Sequence, residues 1–148
     1  MLQRIQTLYL IFSIVIAAVA QFLSVIEVST PGETDEVTPW LLSGDKVAVG
    51  GWPLGIIWFV FVVINVFTIL SYKDRIKQMK YIRISYFMLL LIILFETAII
   101  YLWYRVPEVE VSYGSHIIMP LVAFIFNFMA RKMIRKDEEL VKSVDRLR

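Results

Sequence analysis

The side chain best placed to do chemistry is Glu96, in Leu94-Phe95-Glu96-Thr97 within a long apolar stretch. A carboxylate near mid-membrane costs roughly 2.5–3.5 kcal/mol on insertion scales, so it must face other helices and be paired or protonated. Depth counted at about 1.5 Å per helical residue puts Gln21 near its level. Asn65 and Asn127 fall in the other half of the span, and His116 falls at the outer edge. Gln21 is therefore the expected hydrogen-bond partner. A titrating Glu96 would carry protons or cations, whereas a hydrogen-bonded one would tie helices or subunits together. With no basic partner at its depth and no second acid to relay to, the tie is favoured.

The other candidates carry less. His116 is the only histidine, too few for a bis-histidine haem site or a histidine-rich metal cluster, and is expected to lie at the interface. Asn65 and Asn127 are expected to bond across helices. Met129 and Met133 read as packing. The chain has no cysteine, which removes thiol catalysis, zinc thiolates and disulfides. Phosphate-loop, nucleophile-elbow and zinc-hydrolase motifs are all missing. No cofactor, metal site or catalytic residue is expected, and no enzyme.

The elements that must position these residues are four apolar runs at about 8–26, 53–70, 84–103 and 115–130. Crossing a bilayer takes about 20 apolar helical residues, and backbone groups in lipid must be satisfied within their own segment. The expectation is one all-α membrane domain over the whole chain, a bundle of four transmembrane helices. The basic N-terminus and Ala18-Val19-Ala20 look like a cleavable leader, but an apolar stretch reaching Ile26 is longer than a leader core, so a retained helix is expected.

Charge sets the threading. Of 15 basic residues, 13 lie at the N-terminus, between runs two and three, or in the tail. Loop 27–51 instead carries Glu27, Glu33, Asp35, Glu36 and Asp45 against Lys46. The positive-inside rule then puts both termini in the cytoplasm and loops 27–51 and 104–114 outside. A net charge of +2 averages two opposed faces and gives no sign of nucleic-acid binding. The basic side faces the lipid bilayer's anionic surface. Trp40, Trp52, Trp58, Tyr72, Tyr81, Tyr101, Trp103 and Tyr104 read as the interfacial aromatic belt.

The outer loops have strand character. A hairpin is expected from the segment around Trp40-Leu41-Leu42 and that around Val47–Val49, turning at Gly44-Asp45. Val106, Val109 and Val111 suggest a third strand pairing with it, giving a small extracytoplasmic β-sheet cap. The tail, 131–148, reads as a cytoplasmic C-terminal helix continuing run four. Met133, Leu140, Val144 and Leu147 form its apolar stripe, of which Leu140, Val144 and Leu147 are the expected partner-docking residues.

Three stretches carry a resemblance: the opening Met-Leu-Gln-Arg-Ile-Gln-Thr-Leu-Tyr-Leu, Tyr72-Lys73-Asp74-Arg75, and the closing Arg135-Lys-Asp-Glu-Glu-Leu-Val-Lys-Ser-Val-Asp-Arg-Leu-Arg. Together they resemble a family of small bacterial four-span inner-membrane proteins of unknown function, across essentially the whole chain. The resemblance implies a multi-pass location in the bacterial inner membrane and no activity. The functional expectation is a non-catalytic accessory subunit of a larger inner-membrane complex, of the protein-export or envelope-biogenesis kind, with other membrane subunits as partners. The alternative is a small transporter or channel in which Glu96 titrates.

Overall fold

A computed structural model describes residues 2–30, 33–40, 51–106 and 110–145. The order is α1 (Leu2–Ala20), β1 (Ile26–Thr30), β2 (Glu33–Val37), α2 (Trp52–Leu70), α3 (Arg75–Tyr104), β3 (Glu110–Tyr113), a short 3-10 turn (Ser115–Ile118) and α4 (Met119–Asp145). Helix α1 packs most extensively on α4 and also touches α2, while α3 packs on α2 and α4. Among the described residues, three helical stretches are long and apolar enough to cross a membrane: Trp52–Leu70, Arg75–Tyr104 and Ser115–Val141. A shorter apolar helix, Ile5–Ala20, lies within α1.

The helices bury an apolar core that includes Leu54, Trp58, Phe61, Ile92 and Ile99, yet they also carry large apolar side chains on their outside and polar ones within. Leu8, Phe12, Phe59, Phe67, Phe87, Leu94, Phe124 and Phe128 all point outward, while Gln6, Ser13, Asn65, Thr68, Gln78, Ser85, Glu96, His116 and Asn127 are buried. In water an exposed apolar surface this large would drive aggregation. Lipid makes it the stable arrangement, with polar residues turned inward to bond between helices. This is a membrane protein.

Element boundaries depart from the apolar runs in four places, the first being that α1 starts at Leu2 rather than near residue 8. Helix α1 stops at Ala20, where Phe22 N and Leu23 N donate to Val19 O and Ala20 O in a closing turn. Residues 21–26 are thus not a sixth turn of helix; the alternation Ile26-Glu27-Val28 turns the chain into strand, with Ile26 and Val28 buried and Glu27 exposed. Helix α3 starts at Arg75, well before the apolar run, because Asp74 caps it by accepting from Lys77 N at 3.0 Å. Helix α4 carries the fourth run on to Asp145 without a break.

The cap is a three-stranded antiparallel sheet in the order β2-β1-β3. Ile26 faces Val37 on one side and Tyr113 on the other, and Val28 faces Val111. Strands β1 and β2 pair in the described part of the first loop and bury Ile26, Val28 and Val37 on one face. The expected hairpin around Gly44-Asp45 falls mostly outside the described residues. The expected third-loop strand is present as β3, paired with β1.

Candidate functional site

The site is built where the cap meets the bundle. Val25 N donates to Val37 O, Gly114 N to Val25 O and His116 N to Ser24 O, which seats the segment after β3 against the end of α1. Gly114 is required there: a Cβ would lie 1.9 Å from Ser24 O. The 3-10 turn that follows carries His116 down into the bundle rather than along its rim.

His116 is fully buried between two helices. From α2, Trp58 Nε1–H donates to His116 Nε2 at 3.0 Å, with the rings edge to face. From α3, Glu96 Oε1 approaches His116 Nδ1 at 2.6 Å. The second contact is close in distance but not aligned as an ideal hydrogen bond. Because the indole donates to Nε2, that nitrogen carries no proton, so the neutral imidazole holds its proton on Nδ1, facing the carboxylate. Trp58, His116 and Glu96 thus form one line of polar contacts through α2, the entry of α4, and α3.

This corrects three expectations. Glu96 meets His116, not Gln21. Gln21 does lie near that level, but its Nε2 donates to Gly55 O at 3.5 Å, one turn from Trp58. His116 is interior rather than interfacial, and Trp58 belongs to the site rather than to the aromatic belt. Trp103 is also buried, whereas Trp40, Trp52, Tyr72, Tyr101 and Tyr104 are exposed as belt residues should be.

The two asparagines act differently from each other. Asn127 Nδ2 donates across to Ser13 Oγ on α1 at 3.2 Å, and Ser13 Oγ in turn reaches Ala123 O at 3.5 Å. Asn65 instead bonds within its own helix, to Phe61 O at 2.9 Å, so it is no crosslink. Gln78, not singled out from the sequence, joins α3 to the end of α2 through Thr68 O at 2.9 Å.

A second tie joins α3 to α4 at the far end: Arg75 and Asp137 pair at 2.8 Å. Glu96 and Arg75 are 21 residues apart, as are His116 and Asp137. At about 1.5 Å per residue the two ties stand roughly 30 Å apart, about the thickness of a hydrocarbon core. Of the expected docking residues, Leu140 is exposed, while the side chains of Val144 and Leu147 lie outside the described residues. Met133 is half-buried, and its neighbour Ile134 is fully buried.

The model of the family described as domain of unknown function (DUF4293) matches residues 2–147. The chain belongs to that family. Neither a curated protein nor a solved structure matches it. The DUF4293 description carries no activity, so the chemistry has to be read from the site. An imidazole working as a general base needs a free nitrogen aimed at its substrate. In this DUF4293 chain one nitrogen accepts from an indole and the other faces a carboxylate. No three metal-ligating side chains gather among the described residues.

Proposed function

We propose that the protein is a non-catalytic accessory subunit of a larger bacterial inner-membrane complex, of the protein-export or envelope-biogenesis kind. In this reading α1 is a fourth span beside α2, α3 and α4, both termini are cytoplasmic, and the sheet caps the outer face. Nineteen helical residues reach about 28 Å, enough for a thin crossing, and the basic residues gather at the end opposite the sheet. The interior groups that could do chemistry hold helices together, which leaves the surface as the working part.

One observation carries the proposal. Helix α4 continues past the Arg75–Asp137 tie with Leu140 and Val141 exposed, 48% and 40%. A helical end with exposed apolar side chains gains by burying them on another protein, each contributing on the order of 1.5–3 kcal/mol before ordering costs. Truncation after Glu139 keeps both Asp137 and the Arg135–Glu139 pair. That variant, or Leu140→Asp with Val141→Asp, should insert normally yet lose co-purifying membrane subunits in mild detergent. A reporter fused after Arg148 should read as cytoplasmic. Partners fully retained by the truncated protein, or an external C-terminus, would defeat the proposal.

The transporter reading gains one point from the structure, since Glu96 has a second titratable group beside it. Both groups are buried, however, and the imidazole is held from two sides.

A further inference from the structure

At the end of the bundle opposite the sheet, α3 and α4 present cations beside aromatic rings. Arg83 lies one turn from Tyr86 on α3, and Arg131 one turn from Phe128 on α4. The Arg131 guanidinium stands 5.7 Å from the Tyr86 ring centre. Tyr86 tilts against Phe124 at 5.4 Å, and Phe124 stacks with Phe128 at 6.2 Å. Phe124, Phe128, Arg83 and Arg131 are exposed. Counted from the Glu96–His116 contact, the two arginines lie about 20 and 23 Å along their helices, nearly level with each other.

Three acids of these helices and their caps pair with other cations: Asp137 with Arg75, Asp74 with Lys77, and Glu139 with Arg135. Among the described residues no ion pair neutralises Arg83 or Arg131. Two level guanidiniums match the planar, forked recognition of phosphate oxygens, and the ring ladder beside them is an apolar surface for a chain. Basic pockets between spanning helices near the anionic leaflet bind lipid headgroups in this manner.

We propose that this α3–α4 groove binds one anionic phospholipid, its phosphate held by Arg83 and Arg131 and its acyl chain lying along Tyr86, Phe124 and Phe128. A zwitterionic lipid brings its own ammonium to the same place and gains less.

The test is native mass spectrometry of the full-length protein in dodecyl maltoside, titrated with phosphatidylglycerol or phosphatidylcholine. Phosphatidylglycerol should bind on the order of tenfold more tightly. Arg83→Gln with Arg131→Gln should abolish the preference, whereas Lys73→Gln with Lys136→Gln, which removes the same charge outside the groove, should retain it. If the double arginine variant fails to fold, each single variant should lose part of the preference. Excess inorganic phosphate should not displace the lipid. No preference in the wild type, an equal loss in the lysine variant, no loss in the arginine variants, or displacement by inorganic phosphate would each overturn the site.

Discussion

His116 is held from both sides, and its neighbours should be worth what an orphaned buried group costs. Trp58→Phe leaves the Nε2 lone pair bare, and Glu96→Leu removes the carboxylate that stands against Nδ1. Each should destabilise by about 1–3 kcal/mol in detergent unfolding. Glu96→Gln keeps an acceptor of the same shape and should stay within about 1 kcal/mol of the wild type. The double variant Trp58→Phe with Glu96→Leu should cost less than the sum, since both contacts fix one ring. Strict additivity would mean that the imidazole is not held between them. Asp74, by contrast, is an exposed cap whose carboxyl is held below the usual aspartate range by the Lys77 backbone N–H and then the Lys77 ammonium. A depressed value means its stabilisation is present above the unfolded pKa and fades as pH falls through the folded one.

At the scale of elements, the apolar runs were legible because bilayer thickness is a strict ruler, and α2 begins within a residue of its expected start. What the runs could not give was where helix yields to strand, since Val25-Ile26 suits either one. The Glu96 partner was missed for a related reason. Residue counting along the fourth run puts His116 at the rim, but Gly114 seats the chain against Ser24 and the 3-10 turn drops His116 to the level of Glu96. A lone histidine just after a glycine, with a tryptophan one and a half turns into the preceding apolar run but one, was the signal available. Gly114→Ala tests that seat. Its Cβ would meet the Ser24-Val25 backbone, so the segment after β3 must move away from the one before β1 at a cost of about 1–3 kcal/mol. Amide exchange should quicken at Gly114 and His116 while α2 stays protected. Unchanged protection at both would show that the seat does not set the depth of the histidine.

At the scale of the whole molecule, a buried apolar core, a few polar ties within it and large apolar residues outside describe a chain stabilised by packing and by lipid. Those ties sit at two levels about one hydrocarbon thickness apart on α3 and α4, with the sheet beyond one and the tail beyond the other. The central claim is that the Glu96–His116–Trp58 line is architecture and that function lies at the surface. The most direct measurement is proton flux into vesicles reconstituted with wild type or Glu96→Gln, alongside partner retention for both. The expected result is flux no higher than in empty vesicles for either protein, with partners retained by both. A pH-driven flux in the wild type that Glu96→Gln abolishes, with assembly intact, would contradict it.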